Sequence, residues 1–163
     1  MPMAAASVRE CASPFARRVP TLVFGWGNPS RGDDALGPLF VERIAAFALP
    51  GVETLQDYQL QIEHALDLAG RQRILFVDAG ATTPPPFTIS RLALPDEPSA
   101  QIFSHALSPL GLLHTFTTFY DAPPPPAFLL EIRGENFALG APLSAAAQRH
   151  LAAALSWAEK WLK

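Results

Sequence analysis

The sequence predicts an α/β fold, a three-layer sandwich in which a mainly parallel sheet of about five strands carries helices on both faces. Three observations predict it. Short apolar runs alternate with segments of helical spacing along the whole chain. The clearest strand, Ile74-Leu75-Phe76-Val77, sets four large apolar residues in succession with no polar alternation, as a strand covered on both faces requires. The length of 163 residues suits one domain around one core, since domains run about 100–200 residues.

In chain order, residues 1–20 read as a disordered N-terminal tail ahead of a single domain over 21–163. Thr21 to Gly25 is a buried strand bounded by Pro20 and Gly25. Leu36, Leu39, Phe40, Ile44 and Phe47 then fall at helical spacing until Pro50-Gly51 stops them. Val52 to Asp57 is a second strand, and Ile62, Ala65, Leu66, Leu68 and Ala69 mark a helix ended by Gly70. The third strand closes on Asp78. After the irregular Thr82 to Pro86, Phe87 to Leu94 reads as an edge strand ended by Pro95. A helix is expected from Ser104–Ser108 to about Phe119, then a strand over Ala127 to Ile132. Gly134 to Gly140 reads as a loop with a short extended piece. The closing helix starts at Ser144, an N-cap, with Leu143, Ala147, Leu151, Leu155 and Leu162 on one face. Trp157 and Trp161 are expected to cover the core.

Composition excludes several classes. Hydrophobic residues at 49% and charged residues at 17% describe a globular chain rather than a disordered one. A net charge of −3 with scattered Lys and Arg argues against a nucleic-acid partner. Cys11 is the single cysteine, so neither an internal disulfide nor a cysteine metal cluster can form. With no secretory apolar stretch and no run of about 18 apolar residues, a cytoplasmic location without membrane insertion is expected.

The chemistry concentrates where a parallel sheet gathers ligands, beyond the carboxyl ends of its strands. Leu22 to Pro38 runs from the first strand through a glycine-rich turn into Asp33 and Asp34. Gly25-Trp26-Gly27-Asn28-Pro29-Ser30 starts like a dinucleotide fingerprint but lacks its third glycine, and Trp26 and Pro29 spoil a pyrophosphate cradle. Its glycines instead bend the chain off the strand. In the common doubly wound order the first and third strands are neighbours, so Asp34 and Asp78 converge, and His105 joins them from the start of its helix. Asp33 or Asp34 also reads as a cap for the first helix. Phosphate-loop, H-E-x-x-H and G-x-S-x-G patterns are absent. His64, His114 and His150 read as helical residues rather than ligands. Two carboxylates and an imidazole suit a divalent ion such as nickel or zinc.

Gly25-Trp26-Gly27-Asn28 through Gly32-Asp33-Asp34-Ala35-Leu36-Gly37, then Phe76-Val77-Asp78-Ala79, then Ser104-His105-Ala106-Leu107-Ser108-Pro109, in this order and spacing, closely resemble the hydrogenase maturation endopeptidases. The resemblance covers about residues 21–160. It implies an enzyme that trims the C-terminal extension of a [NiFe]-hydrogenase large-subunit precursor after nickel insertion. It places Asp34, Asp78 and His105 as the metal-contacting and catalytic set, with Asp33 in support. No permanent cofactor is implied, because the precursor contributes the nickel. One departure is the turn after the second strand: many members carry an Asp-Gly-Gly-Thr-like sequence where this chain has Gln56-Asp57-Tyr58-Gln59, and Gln59, Gln61 and Glu63 are alternative participants there. Two rivals stand beside this reading: a metal-dependent hydrolase of small amides, and a non-catalytic nickel-dependent checkpoint protein.

Overall fold

A computed structural model describes residues 18–96 and 107–163. Most of the expected N-terminal tail and His105 lie outside the described residues. The elements are β1 (Thr21–Trp26), a 3-10 turn (Gly32–Ala35), α1 (Leu36–Ala46), β2 (Val52–Asp57), a second 3-10 turn (Ile62–His64), α2 (Ala65–Leu68), β3 (Arg73–Gly80), β4 (Phe87–Leu92), α3 (Pro109–Tyr120), β5 (Ala127–Arg133) and α4 (Ala145–Leu162). No described helix is long and apolar enough to cross a membrane.

The five strands form one sheet in the order β2-β1-β3-β5-β4. The first four are parallel, and β4 closes one edge antiparallel to β5. This is the expected three-layer sandwich. The strands' side chains alternate between its two sides. Val23, Leu75 and Val77 pack with Leu36, Phe40 and Ile44 of α1 and with Leu151 and Ala154 of α4. Leu22, Phe24, Ile74 and Phe76 pack on the opposite side with Leu68 of α2 and with Leu112, Leu113 and Phe116 of α3. The uninterrupted apolar run of β3 is therefore explained by burial on both faces.

The chain leaves β1 toward β2 on one side and leaves β3 toward β4 and β5 on the other. Those connections diverge between two neighbouring strands, with Gly25 opposite Val77. This is the switch point expected from the sequence.

Local chemistry sets the ends. Ser108 caps α3 by accepting the Gly111 N–H, with Pro109 at the first helical position, and Asp121 ends it in a left-handed conformation. Ser144 caps α4 through the Ala147 N–H at 3.1 Å. One expectation is corrected. The second helix is only a 3-10 turn followed by the four residues of α2. Residues 134–140 form the expected loop, in which the backbone N–H groups of Glu135 and Asn136 donate to the Asp33 side chain. Trp157 and Trp161 stack at 5.7 Å and cover the core at its margin, against Phe87 and Phe128 respectively.

Arg73 fastens the sheet to α4 at the end remote from the switch point. Its Nε donates to Thr21 Oγ1 at 3.0 Å, and its two Nη atoms donate to the carbonyls of Trp161 and Leu162 at 3.0 and 3.3 Å. The guanidinium also lies 4.2 Å from the Trp161 ring centroid. A cation at the last carbonyls of a helix opposes its negative end. Arg73→Ala is expected to lower stability by about 1–3 kcal/mol, measured as a shifted urea midpoint.

Candidate functional site

The site begins where β1 turns into α1. Gly27 has φ +149°, and a Cβ there would land on the carbonyl oxygen of Asp34. Only glycine lets the two backbone segments meet so closely. Gly37 does the same one helical turn later, since its Cβ would strike the carbonyl of Trp26. The first turn of α1 thus lies directly on the end of β1. The glycines bend the chain as expected, and the Asn28 N–H donates to Asp34 Oδ2 at 2.6 Å. The capping expectation fails. Neither the 3-10 turn nor α1 receives a side-chain cap, because both aspartates are engaged elsewhere.

Asp33 is fully buried. Its Oδ1 accepts the Ser144 N–H at 2.7 Å. Its Oδ2 accepts the Glu135 N–H at 2.7 Å, the Asn136 N–H at 3.0 Å and the Ser144 hydroxyl at 2.7 Å. Burial alone would push this carboxyl up, but the Ser144, Glu135 and Asn136 N–H groups and the Ser144 hydroxyl outweigh it and hold it below 3.8. Asp33 is thereby a clamp between the β1–α1 turn and the β5–α4 loop.

Asp78 has the opposite environment. Burial at the end of β3 pushes its carboxyl up to about 7, against one N–H···O bond from Ala79 at 2.8 Å, with the charges of Asp34 and Glu131 pushing further. Glu131 sits opposite Asp78 in the β3–β5 register. The structure therefore brings Asp34 and Asp78 into electrostatic reach of each other, as the strand order implied, and adds Glu131. His105 lies outside the described residues. Among the described residues no group of three or more His, Cys, Asp or Glu side chains is placed to hold a metal ion.

Sequence reasoning missed a pair at the end of β2. His64 Nδ1 accepts the Gln61 N–H at 2.9 Å, which leaves Nε2 to donate to Asp57 Oδ2 at 3.2 Å. The imidazole packs edge-on against Phe24 with centroids 4.6 Å apart. Asp57 Oδ1 accepts the Tyr58 N–H at 2.6 Å. A carboxylate ending β2 repeats the signal that singled out Asp78 at the end of β3. Gln56, Asp57 and Tyr58, together with Gly27, Pro29 and Pro38, line a cavity of about 360 Å³. Of the departing turn, these three residues face that space.

Two stability effects follow, with opposite signs. Asp33 is depressed in the folded state, so its contribution is present above the unfolded value near 3.8 and is lost as pH falls through that value and below. Asp33→Asn is expected to cost about 2–4 kcal/mol at pH 7 and to flatten the acid limb of a stability–pH curve. Asp78 is raised, so between 3.8 and about 7 the unfolded chain sheds a proton that the folded chain keeps. Stability falls with rising pH across that window. Asp78→Asn is expected to be about 1–3 kcal/mol more stable than wild type at pH 8, a gain that vanishes toward pH 4. Urea titrations at stepped pH measure both.

No protein-family model matches the chain. No curated protein matches it either. Solved structures do. The [NiFe] hydrogenase maturation protease HycI from Thermococcus kodakarensis KOD1 superposes with a TM-score of 0.69 at 20% identity, over 91% of this chain and 95% of that one. The hydrogenase maturating endopeptidase HybD from E. coli gives 0.67 at 24% identity, over 88% and 91%. An endopeptidase from Escherichia coli gives 0.63 at 26% identity, over 85% and 89%. Fold and near-complete mutual coverage agree with the three sequence motifs, and this chain has the fold of the [NiFe]-hydrogenase maturation proteases, the family its motifs resemble.

Proposed function

We propose that this chain is an endopeptidase that removes the C-terminal extension of a [NiFe]-hydrogenase large-subunit precursor after nickel insertion. The observation that carries the reading is the approach of Asp34 and Asp78 at the switch point between β1 and β3, where the burial of Asp78 and the charge of Asp34 raise the Asp78 carboxyl to about 7. Two half-buried carboxylates that repel each other are a site that gains from a divalent cation. The matching fold of hydrogenase maturation proteases supports the choice of substrate.

In this reading nickel arrives with the precursor, as part of the substrate. Asp34, Asp78 and His105 contact it, and that contact licenses cleavage. Nickel so held is a Lewis acid beside the scissile carbonyl. Asp78 accepts the proton of the attacking water as its oxygen bonds to the carbonyl carbon. The same proton passes to the leaving nitrogen as the C–N bond breaks, so the carboxylate is regenerated. Asp33 acts at one remove by fixing the turn that carries Asp34. In this reading the protein works in the cytoplasm, with its precursor.

Mass spectrometry of the precursor tests this. Incubation of nickel-loaded precursor with wild type is expected to shorten it by the mass of its extension, and nickel-free precursor is expected to stay intact. Asp34→Asn, Asp78→Asn and His105→Ala are each expected to slow cleavage by about 10²–10⁴-fold. An unchanged mass with wild type on nickel-loaded precursor would sink the protease in favour of a checkpoint protein. Cleavage at the wild-type rate by all three variants would sink the three-residue contact. Tight nickel or zinc binding by the isolated chain in calorimetry, with turnover of small amides, would favour the small-amide hydrolase.

A further inference from the structure

The cavity beside Asp57 does not end at Pro29 and Pro38. A second hollow of about 420 Å³ shares Pro29, Pro38 and Gln56 with it and continues past Leu39 and Glu42 to Pro142 and Leu143. The two form one groove. It runs from the end of β2, past the turn that carries Asp34, and along the outer side of α1 to the loop that Asp33 holds in place. From Ala35, the N-cap of α1, to Glu42 its wall extends about 10 Å at the helical rise of about 1.5 Å per residue, the reach of about three residues of extended chain.

The lining is selective. Pro29, Pro38, Leu39, Pro142 and Leu143 offer apolar surface, and the prolines have no N–H with which to pair a strand. Gln56, where the hollows meet, carries an amide able both to donate to and to accept from a peptide backbone. Among the described residues the charged groups that line it are both carboxylates, Asp57 at one end and Glu42 at the other. The Glu42 side chain has no ion pair among the described residues. Among the described residues no cation lines either hollow.

We infer that this groove is the docking site for the extension of the precursor, bound extended over about three residues with an aliphatic side chain against Leu39 and Leu143 and a Lys or Arg at Glu42. The inference rests on the endopeptidase reading and adds to it a second recognition element, one that reads the tail while the carboxylates at the switch point meet the metal. Charge complementarity commits the occupant to a basic peptide, and continuity with the Asp34 turn commits it to the segment beside the scissile bond.

The test has two arms. In the first, Leu39 is replaced by photoreactive benzoylphenylalanine and irradiated with nickel-loaded precursor, and with precursor already shortened to its mature end. Phe119, exposed on α3 at the other face of the sheet, carries the same probe as a control. The expected result is a cross-link from position 39 to the extension alone, absent with shortened precursor and absent from position 119. In the second arm, Glu42→Lys is expected to raise KM about ten-fold with kcat within about two-fold of wild type, and exchange of the tail's basic residue for Glu is expected to restore it. No cross-link from position 39, or one that persists with shortened precursor, overturns the groove. So does an unchanged KM in a variant whose parent cleaves. Failure of wild type to cleave while position 39 still cross-links the tail overturns the protease and keeps the groove, so the two failures are told apart.

Discussion

The carboxylate of Asp33 is buried from solvent and is satisfied by donors that all belong to one loop, 102 to 111 positions further along the chain. No cation takes part among the described residues. A buried ion costs several kcal/mol unless hydrogen bonds replace its water, so the β1–α1 turn and the β5–α4 loop must close on each other for either to be stable. The same closure sets Ser144, which donates its hydroxyl to Asp33 and accepts the Ala147 N–H. One carboxylate thereby starts α4, shapes the loop before it and fixes the residue next to Asp34.

Asp33 and Asp78 are the same residue type at the same end of one sheet, and the fold drives them apart. The first is surrounded by donors and stays ionised. The second has one N–H, two anionic neighbours and burial, and it holds its proton to near neutrality. The frame is built from the carboxylate with four donors, and the proposed reactive position from the one with a single N–H. A group that is strained electrostatically at rest lowers stability in exchange for readiness to take a proton or a cation.

Much of this was legible in the sequence, for definite reasons. The unbroken apolar run of β3 announced a sheet covered on both faces, and the doubly wound order then placed Asp34 beside Asp78 although 44 positions separate Asp34 from Asp78 in the chain. Ser144 was readable as a cap from its place before an amphipathic run. The Asp33 clamp was not readable, because its donors are backbone N–H groups, which leave no trace in residue identity. Glu131 looked like an ordinary strand residue until the β5 register set it opposite Asp78. The Asp57–His64 pair was obscured because a short helix was expected where a 3-10 turn instead folds His64 back over Gln61.

That turn has a consequence for ligand supply. A metal takes an imidazole by a nitrogen lone pair, and His64 has one to offer only at Nδ1, where the Gln61 N–H already occupies it. Its Nε2 is turned to Asp57. To coordinate a cation the ring would have to abandon the backbone of its own turn and leave a peptide N–H without an acceptor. Although it sits beside the strand ends in company with a carboxylate, His64 is committed to holding Asp57 in place, and the imidazole of the proposed metal contact has to come from another part of the chain.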